Sequence, residues 1–544
     1  MSTINPGMFI KPPFGGQLSD RDLMDVPEGY ARQVLNWLKR EGGFAVRPGY
    51  RQVGSSLGES TRGLIQYDHH SGHKFTVIGT ATKWWKWNLG TLAWNNITEG
   101  GNPLTGDDDT HQLFRVFYKS NKAYVVGVNG HADAPKKWDG EAATYSNVGG
   151  TPPKAKCLAI NNNRLILGNT YTSQANAHQV DVSGFNDFET GWGTVQLVNL
   201  SDTPGHIVEM RELGNLVTAI YKSDAVYVAI AQDALAPYSF ELRAPYVQGP
   251  VSPRCVVSLP AAHVFMSQSG ALWQFDGIHV TELPAHLRKH IVDTADLGAL
   301  SKAHGFYDAI NGEVWFLYCG RSSSEPNLGL VINLTDYSGW PIEFTNIRPV
   351  AGLGAEMEQN VMIGDMVEPL SFYTGALKTL SHLYLKSMLV DKSGVVLEEG
   401  GNTDNISGVI YFGNNYFGNN YFGSDYFGSD FIGSDESISA IPVSLETGMQ
   451  SPSSMKSNFT VNDVDVLFAK TPASQEVEVL IGYSDDGSEP AYRLLGSVDI
   501  GNVGPYRLDA RVTSKLFSVK LSAMATQPIK WRGMMVSGAV RGIR

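Results

Sequence analysis

The chain has 544 residues, with 42 Lys+Arg against 54 Asp+Glu, a formal charge of −12 and 42% apolar residues. That is the composition of a globular, soluble, mildly acidic protein, long enough for several cores or for one large β architecture with appendages. The acidity, without any Lys/Arg cluster, argues against a protein that grips nucleic acid through its phosphates, and the lack of an apolar run of roughly 18 residues argues against a membrane span.

Residues 1–60 read as an N-terminal arm without the charged-then-apolar layout of a signal peptide. Within it, Tyr30, Val34, Leu35 and Leu38 fall on one helical face, which predicts a short helix over residues 28–40. A second helix is predicted over 284–300, opened by Pro284 in its first turn. Most of the remainder reads as strand. Runs rich in Val, Ile, Tyr, Phe and Trp, at residues 74–79, 123–128, 164–167 and 313–318, are bounded by Gly, Asn or Asp.

One local unit, an apolar strand, a tight polar turn and a second apolar strand, recurs. Its turn centres at Gly72, Asn121, Asn162, Gly214, Ala262 and Asn311 are spaced by 49, 41, 52, 48 and 49 residues. A period near fifty is the length of a four-stranded propeller blade. Trp138-Asp139-Gly140 and Phe275-Asp276-Gly277 supply further hairpin turns within such blades. The predicted fold is therefore all-β, with a β-propeller-like body over residues 61–380.

Residues 381–450 read as a linker or insertion. It carries five pentapeptides between residues 411 and 435, from Tyr411-Phe412-Gly413-Asn414-Asn415 onward. Each offers two apolar side chains and a polar turn, which suits either a surface decoration or an aromatic contact strip. Over residues 451–544, alternating strands at 463–469, 476–481 and 516–521, with a turn at 484–487, predict a C-terminal antiparallel β-sandwich.

Motifs that could carry chemistry stand out of context. Cys157, Cys255 and Cys319 are scattered and odd in number, which suits buried free thiols. Gly54-Ser55-Ser56-Leu57-Gly58 matches a nucleophile elbow, but neither a strand before it nor a helix after it is predicted. His69, His70 and His73 form a histidine-rich turn, and Asp107, Asp108 and Asp109 resemble part of a calcium loop without its glycine and glutamate. No phosphate loop or dinucleotide fingerprint is present. Trp84, Trp85, Trp87 and Trp94 suit either blade packing or stacking on a sugar or base. No catalytic, cofactor-binding or metal-ligating residue is assigned, and no cofactor is expected.

Residues 249–255 (Gly249-Pro250-Val251-Ser252-Pro253-Arg254-Cys255) and 263–280 resemble a blade of the tail tube or nozzle proteins of short-tailed, podovirus-like bacteriophages. The opening run from Asn36 to Arg51, the segment Gly184-Phe185-Asn186-Asp187-Phe188 and the close Val540-Arg541-Gly542-Ile543-Arg544 are similar to that family as well. The pentapeptides depart from it. The resemblance implies a structural, non-enzymatic virion protein, a homohexameric ring below the portal and adaptor. Its partners would be the adaptor ring, tail fibre or needle proteins, and genomic double-stranded DNA that passes without being held. Two other readings stay open: a propeller-type carbohydrate-binding adhesin, and a glycan hydrolase or lyase, which requires a close pair of carboxylates in a deep pocket.

Overall fold

The structure is a computed structural model and describes residues 8–353, 388–405, 438–449 and 458–541, apart from brief intervals within these spans. The pentapeptides at 411–435 lie outside the described residues.

Residues 61–343 form six successive four-stranded antiparallel sheets, each a simple meander. Their first strands are Thr61–Asp68, Leu113–Lys119, Lys154–Asn161, Ile207–Leu213, Val256–Ser258 and His304–Asp308. A seventh blade is composite. Pro349–Leu353, Met388–Asp391 and Val396–Glu399 pair in order, and its outermost strand is Tyr50–Val53, the segment that immediately precedes blade one. The first strands lie side by side around a ring, and that of blade seven meets that of blade one. This is a closed seven-bladed β-propeller, and the strand borrowed from the N-terminal segment ties the ring shut.

The turns explain why these residues fold this way. Tight hairpins between first and second strands need left-handed backbone, and they find it at Gly72, Asn121, Asn162, Gly214 and Gly312, with φ of 82, 61, 45, 69 and 66°. Between third and fourth strands, Asp139 Oδ1 accepts from the amides of Glu141 and Ala142, and Asp276 Oδ1 accepts from those of Ile278 and His279. Such side-chain turns hold the strand ends together locally. Neighbouring blades then pack closely: a Cβ on Gly127 of blade two would stand 2.5 Å from the Trp84 ring of blade one.

The expected second helix is present as Ala285–Thr294, entered from Pro284 and buried through Leu287 and Ile291. A 3₁₀ turn, Leu297–Lys302, carries the chain on into blade six. The expected N-terminal helix over 28–40 is not formed. That segment is two strands, Ala31–Leu35 and Trp37–Arg40, broken at Asn36 with φ 61°. Ala31–Leu35 pairs with Ile438–Thr447, more than 400 residues away, and Trp37–Arg40 pairs with Gly43–Val46. Tertiary pairing overrides the local 3.6-residue spacing.

These strands belong to the C-terminal sandwich. One of its sheets runs through Trp37–Arg40, Gly43–Val46, Lys530–Arg541, Asn458–Phe468 and Tyr506–Ser514, with Met8–Ile10 added on Lys530–Arg541. The other contains Ile438–Thr447, Leu516–Ala525, Glu476–Ser484 and Ala491–Asp499. One continuous apolar core joins the sandwich to blades six and seven, with Phe44, Trp37, Trp340, Phe344, Leu389 and Trp531 all buried in it. Asn36 and Arg47 pin the junction. Asn36 Nδ2 donates to Pro442 O at 2.7 Å, Arg47 Nε donates to Asn36 Oδ1 at 3.0 Å, and Arg47 Nη2 donates to Glu343 O at 2.9 Å.

Candidate axial site

In a propeller the innermost strand of each blade has one edge unpaired, and its amides and carbonyls face the axis and need partners. Here charged side chains supply them. Arg115, on the first strand of blade two, passes blade three and donates through Nη2 to Glu209 Oε1 at 2.6 Å and to Met210 O at 3.0 Å, both on blade four. Arg211 Nε lies 2.9 Å from the same Glu209 oxygen, and Arg115 Nε lies 3.4 Å from Glu212 Oε1. Glu212 in turn accepts the amide of Ile160 on blade three at 2.5 Å. His263 of blade five closes the set. Its Nε2–H donates to Glu212 O at 3.0 Å, while its Nδ1 accepts the Tyr221 hydroxyl at 2.8 Å.

Blades two to five are therefore joined along their inner strands by an ionic network centred on the fully buried Glu209. Burial pushes the Glu209 carboxyl up and Arg211 and Arg115 pull it down, whereas the Arg115 guanidinium is held above its ordinary value by Glu212 and Glu209 despite its burial. Burial lowers His263 to about 4. In the unfolded chain the same imidazole titrates near 6.5. Between these two values the unfolded state binds a proton that the folded state does not, so stability rises with pH across that window and falls as pH drops from about 6.5 to about 4. Denaturant melts at stepped pH should show this slope, and His263→Gln should reduce it, the remainder coming from other buried imidazoles such as His290, which burial also lowers to about 4. An unchanged slope would assign the acid sensitivity elsewhere.

Above this network, where the innermost strands begin, the lining carries two arginines and two histidines. Arg62 of blade one is buried, His111 precedes the first strand of blade two, Arg254 precedes that of blade five, and His304 starts that of blade six. Arg254 reaches over blade six, with Nη1 donating to Val350 O of blade seven at 2.7 Å and Nη2 to Lys302 O at 3.3 Å. Burial, then Arg254 and Arg62, bring His111 down to about 3, and burial and Arg62 bring Arg254 down to about 10.

The motifs singled out in the sequence lie elsewhere. Ser56 is exposed, its hydroxyl accepts the Gly58 amide, and the segment runs on into the strand Thr61–Asp68 rather than a helix, so the elbow geometry is not formed. Asp107 forms a turn with Thr110; Asp108 and Asp109 lie outside the described residues. His69, His70 and Glu141 bring one ligand atom each within 4.8 Å of the others. Hydrogen bonds set their tautomers against metal ligation, however. His69 Nδ1 accepts the Ser71 amide and His70 Nδ1 the Ala123 amide, which leaves the protons on Nε2, where they donate to Asp139 O and Glu141 Oε1. The cluster clasps blade one to blade two.

Trp84, Trp87 and Trp94 are buried, and the last two meet edge-on at 4.9 Å, so these rings pack blade one and present no stacking platform. The three cysteines are free and buried, and burial raises Cys255 and Cys319 to about 11, which makes them poor nucleophiles.

A cavity of about 560 Å³ lies at the seam between blade six and the sandwich. Within it Arg32 binds both Glu446, at 3.1 Å, and Glu489, at 2.6 Å, and the Tyr492 hydroxyl donates to Glu446.

Sequence reasoning pointed to none of the axial residues. Arg115, Glu209 and Arg211 sit in ordinary strand alternation, and nothing local marks them as facing the axis.

No family model matches the sequence, and no curated protein is found that matches it. Among solved structures, the chain is similar to the computationally designed Ika8 protein (12% identity over 65% of this chain and 100% of that one, TM-score 0.35). It is also similar to the RRP9 WD40 repeats (8% identity, 57% of this chain and 88% of that one, TM-score 0.37) and to U3-55K (11% identity, 54% and 86%, TM-score 0.34). The fold itself is read from the strand order described above. Among the described residues, no helix is long and apolar enough to cross a membrane.

Proposed function

We propose that the chain is a structural virion protein, a subunit of the tail nozzle of a short-tailed bacteriophage, six copies of which form the ring through which the genome leaves. The observation that carries this reading is the lacing of the N-terminal strands. Residues 31–53 pair first with the sandwich and then with blade seven, so propeller and sandwich share one core and one set of β ladders. A wall element that must transmit force without hinging suits such a build. The reading assigns the protein no catalytic step.

The ionic network from Arg115 to Glu212 ties the inner strands of blades two and four together, and in this reading the duplex passes between subunits, along the axis of the ring. A wall made of chains at −12 repels phosphate over about a Debye length, near 8 Å at physiological salt, which keeps DNA sliding. Docking of an adaptor ring above and of fibre or needle proteins below completes the proposal. A titration with duplex DNA at low salt tests it: no saturable binding is expected. Sub-micromolar affinity that weakens steeply with salt would overturn it.

A further inference from the structure

The seam cavity of about 560 Å³ between blade six and the sandwich falls within the size range of small-molecule sites, roughly 300–1,000 Å³. Its sandwich wall is one sheet. Arg32, Glu446, Lys520 and Tyr492 stand on four of its strands, Ala31–Leu35, Ile438–Thr447, Leu516–Ala525 and Ala491–Asp499, with Glu446 directly opposite Lys520. Tyr492 pairs with Gly482, where a Cβ would stand 3.0 Å from its ring, so the ring can lie across the sheet and bring its hydroxyl to Glu446. The Glu446 side chain is 4% exposed, and its Oε1 takes both the Arg32 and the Tyr492 donors. Its Oε2 receives no donor among the described residues, and the Lys520 ammonium, 5.4 Å from the Tyr492 ring centre, gives its protons to no acceptor among them. A buried acceptor without a donor costs stability until a ligand supplies one.

We infer that this cavity binds a neutral, hydroxyl-rich ligand of saccharide type. The polar groups left open are an acceptor and a donor on adjacent strands, Glu446 Oε2 and Lys520 Nζ, and a hydroxyl is the group that serves both. Neither charge sign dominates: Arg32 and Lys520 face Glu343, Glu446 and Glu489, while Asp293 is held by Lys289 at 2.6 Å. His290, which burial lowers to about 4, adds no charge at neutral pH. Leu328, Pro341 and Ile342 of blade six and the Tyr492 ring, 37% exposed, offer apolar surface to the C–H face of a sugar ring. The site rests on the seam alone and stands apart from the tail reading.

An array of neutral, amino and acidic oligosaccharides probed with the full-length protein, followed by isothermal titration with the best-bound one, tests the site. Saturable binding to neutral sugars is expected. Lys520→Met keeps the aliphatic stem and removes the donor, and should weaken the binding by about tenfold or more, the effect of losing one charge-assisted hydrogen bond. Glu446→Gln keeps an oxygen for Arg32 and Tyr492 but puts an amide donor where Oε2 accepts, and should weaken it by at least as much. Thermal melts of both variants separate lost binding from lost folding, and Lys520→Met, on a partly exposed side chain, decides the matter if Glu446→Gln melts early. The inference is overturned if no sugar on the array binds, if only charged sugars bind, or if Lys520→Met leaves the affinity unchanged.

Discussion

Glu209→Leu is expected to destabilise the protein by about 3–5 kcal/mol, the cost of breaking a buried ion network from one side. Glu209 is fully buried and stands between Arg115 at 2.6 Å and Arg211 at 2.9 Å. Without its carboxylate the two guanidiniums lose the partner they share, and Arg115 keeps only the longer ion pair to Glu212 beside its hydrogen bonds to backbone carbonyls. Because this network joins blades two and four past blade three, its loss should loosen the ring as a whole. Equilibrium urea unfolding at neutral pH measures it. A loss below about 1 kcal/mol would mean that water reaches the axis and screens the charges.

Phe44→Ala should cost a similar amount, about 3–5 kcal/mol, for a different reason. The Phe44 ring is fully buried; it stacks on Trp37 at 5.1 Å and meets Trp340 of blade six at 5.2 Å and Trp531 of the sandwich at 6.4 Å. Three separate parts of the chain converge on one aromatic side chain, and removing it opens a cavity that none of them is free to fill. The hairpin that carries Phe44 leads directly into Tyr50–Val53, the outermost strand of blade seven, so the variant should also expose blade seven to limited proteolysis. An increase in cleavage confined to the sandwich, with blade seven still protected, would show that the two modules are held independently.

The propeller was legible because its signal is local. A turn that demands left-handed backbone selects Asn or Gly within four residues, and five such turns, with a sixth at Ala262 that needs none, mark the blades at a spacing near fifty residues. The alternating strands after residue 451 were legible for the same reason: one buried face imposes a period of two. The seventh blade was not, since its strands come from residues 50–53 and 349–399 and no local pattern links the two. The segment 28–40 misled because Tyr30, Val34, Leu35 and Leu38 satisfy helical spacing, while its actual partner, Ile438–Thr447, lies at the far end of the chain. The axial charges were hidden in plain strand alternation. Only closure of the ring turns Arg115 and Glu209 toward each other.

That six copies close into a ring with the channel between them is tested most directly by electron cryo-microscopy of the purified protein and of the virion. The expected result is a closed six-membered ring below the portal and adaptor, its propellers set around a central channel, with any duplex density in that channel and none along a propeller axis. A monodisperse monomer absent from the particle, or duplex density threading a propeller past Arg115 and Glu209, would contradict it.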